Sequence, residues 1–116
     1  MEIYLVDAFT TEKFKGNPAG IVLDADHLSR AEKQAIAAEI HASETAFISK
    51  SSLADFKVEF FTPTTEIDFC GHATIATFHT LATTGRIKLN NGMANLTEET
   101  LAGIVPVAVS EQDKLT

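Results

Sequence analysis

From Phe69 to Gly85 the chain carries no Lys, Arg, Asp or Glu, and its apolar residues do not form a single stripe. Ala73, Ile75, Ala76, Phe78, Leu81 and Ala82 point around the whole circumference of a helix. A helix that is apolar on every side is buried on every side. Gly71 stands just before this run and Gly85 just after it, where a left-handed residue commonly ends a helix. The pattern predicts a central helix over 72–84, wrapped by strands.

The flanking patterns supply those strands. Glu2 to Thr10 is a run of β-prone residues, and after a Gly/Pro loop Ala19 to Leu23 resumes one, which predicts an antiparallel return. Ser29-Arg-Ala-Glu32 is a capping box that opens an amphipathic helix over about 30–41. Its apolar stripe is Ala35, Ile36 and Ile40, with Lys33 and Glu39 on the solvent side. Glu44 to Ser49 reads as a strand. Asp55 to Phe60 alternates, burying Phe56, Val58 and Phe60 and exposing Lys57 and Glu59, until Pro63 ends the pattern. Arg86 to Leu89 reads as a short strand and Asn90-Asn-Gly92 as a turn. Thr97 to Leu101 and Gly103 to Val109 form a last pair of strands. Several strands around one swallowed helix define an α+β fold.

Composition narrows the partners. At 116 residues and 45% hydrophobic content the chain supports a single modest core. Nine Lys+Arg against 16 Asp+Glu give a net charge of −7 with no basic cluster, which argues against nucleic acid and anionic membrane surfaces. The start has no signal-peptide character, and the uncharged stretch falls short of the roughly 20 apolar residues a span needs. The single cysteine allows no internal disulfide and suits a reducing compartment, so cytoplasm is the expected location.

The candidate chemistry gathers at the start of the central helix. The first amides of a helix lack internal partners and carry partial positive charge, so Cys70-Gly71-His72 is a ready anion site. Equally, Gly71 can serve only a tight strand-to-helix turn. Cys70 becomes a proton acceptor if the helix terminus lowers its pKa, and is otherwise a small buried filler. His72 can donate to a substrate oxygen or cap the helix. Glu44, at a helix-to-strand junction with apolar residues behind it, suits proton shuttling if half-buried, and is otherwise a surface carboxylate. Asn17, between Gly16 and Pro18, either presents its amide to a ligand or makes a turn. His72 and His79 lie seven residues and so about 10 Å apart, too far to share a metal ion, and no metal site is expected. His79 reads as a core histidine, and His27 and His41 as surface or cap residues.

Four stretches carry a resemblance. Val6-Asp-Ala-Phe-Thr10, Phe14-Lys-Gly-Asn-Pro-Ala19, Ser43-Glu-Thr-Ala-Phe47 and Phe61-Thr-Pro…Glu66-Ile-Asp-Phe-Cys-Gly-His-Ala-Thr74, in this order and spacing, resemble the N-terminal half of the PhzF-like family. These are phenazine-biosynthesis-type isomerases with the diaminopimelate-epimerase fold. The resemblance implies two similar halves, each a curved, mixed, barrel-like β-sheet rolled around a central helix, with a cofactor-independent active site in the cleft between them. It implies Glu44 as the residue that moves a proton on a dihydro-hydroxyanthranilate-like substrate. It also implies that His72 and the helix-start amides at Gly71 and Ala73 hold substrate polar groups, and Asp68 beside them joins the binding candidates. Related two-cysteine epimerases place a catalytic base at the position of Cys70 and a carboxylate-binding Asn in the loop of Asn17.

The chain therefore reads as one N-terminal domain, residues 1–116, of a two-domain protein whose second domain is absent. The expected activity is proton transfer on a small amino- or hydroxy-acid anion, without a cofactor. The expected partners are that substrate and either the missing C-terminal half or a second copy of the chain. Two alternatives differ in kind. One is a cysteine-based epimerase or racemase half, which needs a second thiol from elsewhere. The other is a catalytically inactive, half-length binding or assembly module.

Overall fold

The structure is a computed structural model that describes residues 2–6 and 18–110. Asn17 and the segment predicted as strand beyond Val6 lie outside the described residues. The elements run β1 (Glu2–Val6), β2 (Ala19–Leu23), α1 (Arg30–Ile40), β3 (Glu44–Ser49), β4 (Phe56–Phe61), β5 (Glu66–Ile67), α2 (Gly71–Thr83), β6 (Met93–Thr100) and β7 (Gly103–Ser110). They form one mixed sheet in the order β1-β2-β3-β4-β6-β7, with β5 paired to β4. β1 returns antiparallel on β2 as predicted, whereas β2 with β3 and β4 with β6 run parallel. Each parallel pair needs a crossover. Helix α1 supplies the first and α2 the second.

Alternation along the strands puts the two crossover helices on opposite faces. Val22, Phe47 and Phe61 form one core cluster with Ala37 of α1, while Ile21, Ala46 and Phe60 form another with Ala73, Ala76, Phe78 and Leu81 of α2. The second cluster is the larger, and all seven strands reach it. Tyr4 and Val6 pack there from β1, and Val107 and Val109 from β7, at the far end of the sheet. Laid flat, the six strands of that path would span roughly 24 Å at about 4.8 Å each. A helix with its side chains is only about 10–12 Å wide. The sheet therefore curves around α2, but it remains open, so the barrel-like description holds for its curvature and not for closure.

Because the sheet is open, α2 is not buried on every side. Gly71 and Ile75 are exposed, Ile75 by 41%, and His79 is only half-buried. Spaced four apart, these three make one uncovered strip along the helix. His79 is thus not the core histidine that its apolar neighbours suggest. The helix begins one residue earlier than predicted, at Gly71, with Cys70 as its N-cap. Arg86 to Leu89 is irregular and not a strand. The turn at Asn90-Asn-Gly92 is present, with positive φ at Asn91 and Gly92 as a two-residue hairpin turn demands.

Helix α1 keeps its capping box, with Ser29 Oγ accepting from the Glu32 amide at 3.1 Å and Glu32 Oε1 accepting from the Ser29 amide at 2.8 Å. Its buried face differs from the predicted stripe, since Lys33 and Ala37 face the sheet and Ala35 is exposed. Lys33 forms a largely buried ion pair with Glu59, which the alternation had placed in solvent. Gln34 Nε2 donates to the Thr62 carbonyl at 3.0 Å, and Arg30 Nη2 lies 2.7 Å from Glu66 Oε1. This row of polar anchors ties α1 to β4 and to the segment that leads into α2.

The Lys33–Glu59 pair makes a measurable demand. Lys33→Met strands the Glu59 carboxylate under α1 and is expected to lower the unfolding free energy by about 3 kcal/mol, whereas K33M combined with Glu59→Leu recovers most of that loss. Urea unfolding followed by circular dichroism measures both. A K33M loss under about 1 kcal/mol would reduce the pair to an ordinary surface bridge.

Candidate functional site

Three chain segments converge at the leading end of α2. The parallel strands β2 and β3 start side by side, with Ala19 opposite Glu44. Ser43 Oγ donates to the Pro18 carbonyl at 3.4 Å, holding the two starts together. Across from them the chain leaves β5, passes the exposed Asp68 and the 39% exposed Phe69, and caps α2 with Cys70. The half-buried Glu44 carboxylate lies close enough to the Cys70 thiol to act on it electrostatically, so residues 26 positions apart in sequence come together at the helix start. His72 is half-buried on the first turn beside them.

The cap changes how the helix amides are used. Cys70 Sγ accepts from the Ala73 amide at 3.4 Å, and the His72 amide also reaches the sulfur. The positive end of the helix is therefore engaged by its own cap, and the Ala73 side chain lies in the core. An incoming anion has to compete with a thiol sulfur, which is a weak acceptor.

Gly71 is informative for what does not require it. Its backbone is helical, so no left-handed conformation calls for glycine, and a Cβ built on it would meet only Phe69 Cε2 at 3.8 Å. Neither turn geometry nor packing explains the residue. The glycine leaves the start of α2 uncovered.

Electrostatics at Cys70 run opposite to the expectation from the helix terminus. Partial burial pushes the thiol pKa up, and the nearby Glu44 carboxylate raises it further by charge and by accepting the thiol proton. The hydrogen bonds from the Ala73 and His72 amides pull it down, but the net shift is upward. Cys70 is a proton-loaded thiol and not a resting thiolate.

A second carboxylate near α2 escaped the sequence reading. Glu98 on β6 is fully buried, and its Oε2 accepts from Thr74 Oγ1 at 2.8 Å. A signal for it exists: Glu98 pairs with Val105 and shares strand parity with Leu96, so it falls on the face that β6 and β7 turn toward α2. Among the described residues no three His, Cys, Asp or Glu side chains cluster as a metal site, and no helix is long and apolar enough to cross a membrane.

A curved mixed sheet around one helix is the arrangement of the epimerase-like fold class. A structure described as a predicted epimerase from Pseudomonas aeruginosa overlays 91% of the chain with a TM-score of 0.78, covering 37% of that protein at 24% identity, a likeness of fold. The model of the phenazine biosynthesis-like (PhzC-PhzF) family matches residues 6–116, and the chain belongs to that family. The Bacillus anthracis phenazine biosynthesis protein of the PhzF family overlays 91% of the chain and 36% of its own, with a TM-score of 0.81 and 44% identity. An uncharacterized isomerase, YddE, from Salmonella typhimurium is 48% identical over 102 residues, 88% of this chain and 33% of that protein. The chain thus spans about a third of the length of the relatives it matches.

The contact between Glu44 and Cys70 is testable without a substrate. Alkylation of Cys70 by iodoacetamide is expected to be slow at neutral pH and to rise only as the pH approaches the raised thiol pKa. Glu44→Gln removes the charge that raises it, so E44Q should react several-fold faster at the same pH. Equal rates in the two proteins would mean that the carboxylate and thiol do not interact in solution.

Proposed function

We propose that this chain is the N-terminal domain of a two-domain, cofactor-independent isomerase that moves a proton on a small amino- or hydroxy-acid anion. Glu44 is the general acid/base. His72 and the start of α2 bind the anionic end of the substrate, with Asp68 and Asn17 as further binding groups. The observation that carries this reading is the meeting of Glu44 with the Cys70 cap at a helix start left open by Gly71.

The chemistry follows from the environments. A half-buried carboxylate facing an open helix end can take a proton from a carbon next to the substrate's anionic group and return it to a neighbouring carbon. The negative charge that builds on the substrate lies against the positive end of α2. Cys70, which keeps its proton, orients Glu44 by donating to it. That state favours a thiol donor over the thiolate base that a cysteine-based epimerase half requires.

Half a cleft encloses little, and effective proton transfer requires an enclosed, aligned substrate. The uncovered apolar residues Phe69 and Ile75 border the helix start and suit contact with the missing half or a second copy. Relatives about three times as long supply room for that other wall.

The test uses the chain together with its second half, in deuterated water, following exchange of a substrate C–H for deuterium across candidate cyclic amino and hydroxy acids. Glu44→Gln is expected to slow exchange by about 10²–10⁴-fold with the fold intact. Gly71→Ala is expected to keep or slightly raise thermal stability while weakening substrate binding at least tenfold. Full exchange in E44Q would remove Glu44 from the chemistry and, with it, this assignment.

A further inference from the structure

Hairpin β6–β7 is strongly made and thinly attached. Its two strands pair with each other over eight residues, but β6 pairs with β4 over only two, Phe56 with Glu98 and Lys57 with Glu99. Three consecutive residues fasten it at that same point. Thr97 donates its amide to Asp55 Oδ2 at 2.8 Å, and Ser51 Oγ donates to Glu99 Oε1 at 2.6 Å. Between them Glu98 turns inward and accepts from Thr74 Oγ1 on the first turn of α2. Leu96, Val107 and Val109 of the hairpin add apolar packing against the α2 cluster.

The inward tether is chemically unlike the other two. Glu98 is fully enclosed, and its Oε1 has no hydrogen-bond partner. Around it β4 contributes Phe56, β7 contributes Val105 and α2 contributes Thr74. The titratable groups of these elements lie elsewhere. Glu59 is tied to Lys33 under α1, Lys57 is exposed, Glu99 is held by Ser51 on the outer face, and His72 and His79 are half-buried on α2. No cation pairs with Glu98 among the described residues. A carboxylate cut off from water with one donor is poorly compensated, whereas the neutral acid fits the same place.

We propose that Thr74 and Glu98 form a proton-operated latch, which holds hairpin β6–β7 against the start of α2 while Glu98 carries its proton and releases the hairpin when Glu98 ionises. Thr74 also donates its amide to the Cys70 carbonyl at 2.9 Å, so the latch bears directly on the residue that caps α2. Both are positioning residues, acting on the helix start through the backbone. The latch is independent of the isomerase reading, because it concerns where the helix start is held and not what is bound there.

The direction follows from linkage. Burial raises the Glu98 pKa, opposed in part by the Thr74 hydrogen bond, so the folded state holds this proton more tightly than the unfolded chain. The contribution is fully present below the ordinary glutamate pKa and is lost as the pH rises through the raised folded value.

The test is hydrogen exchange of the 94–109 amides, corrected for intrinsic rates, between about pH 5 and about pH 8. Protection of these amides is expected to fall at least roughly tenfold with rising pH, beyond any change in β2 and β3. Glu98→Gln keeps the oxygen that accepts from Thr74 and cannot ionise, so it should abolish that dependence. Carboxyl-carbon NMR gives a second readout should E98Q not fold. Thr74→Ala removes a donor that favours the ionised form, so the Glu98 titration midpoint should move upward. Titration of Glu98 in the ordinary carboxylate range, unchanged pH dependence in E98Q, or a midpoint in T74A that stays or falls would each overturn the latch.

Discussion

Burial of α2 is the constraint on which the rest of the molecule depends. A thirteen-residue helix without Lys, Arg, Asp or Glu and with apolar residues around its circumference does not suit a surface, and the chain meets that demand by bringing all seven strands to one cluster around it. The curvature of the sheet, the use of α2 as a crossover between β4 and β6, and the inward parity of β7 follow from this packing. The wrap stops short of closure, and the strip Gly71–Ile75–His79 shows where. The end of that strip is also the end at which Glu44, Cys70 and His72 collect.

At the tip of α2 two physical effects compete, and the outcome sets the chemistry. The helix terminus favours negative charge on sulfur, while partial burial and the Glu44 carboxylate oppose it. The second pair prevails, leaving a thiol that donates to a carboxylate. A few residues along, Glu98 sits in the opposite situation, sealed from water against Thr74. One helix thus addresses two carboxyl groups. The first stands at an open end where a ligand can approach, and the second lies inside where only a proton can come and go.

Membership of the phenazine biosynthesis-like family fits this arrangement, and the chain's length relative to its relatives gives it a physical meaning. The helix start is open on one side, where Phe69 and Ile75 are uncovered. Helix α1, pinned by Lys33, Gln34 and Arg30, steadies the segment from Thr62 to Glu66 that delivers Cys70 to the helix start. The polar face of α1 therefore serves the site from the opposite side of the sheet.

Local chemistry alone determined much of this. The Ser29–Glu32 capping box, the Asn91-Gly92 turn and the bounds of β2 and β3 are interactions between near neighbours in the chain, so periodicity and turn residues sufficed to place them. The uncharged stretch likewise announced a buried helix, and the spacing of four motifs pointed to the family. What depends on distant partners was decided only by tertiary structure. Lys33 looks like a solvent residue until Glu59 is placed under it, and Glu98 looks like one until the register of β6 turns it inward. Arg86 to Leu89 has strand-like residues but pairs with no strand among the described residues. The thiol of Cys70 has a helix end on one side and Glu44 on the other, and burial supplies the larger effect. A residue's partner, water or another side chain, is a property of the fold, because the free energy of a charge depends on what surrounds it and not on its place in the chain.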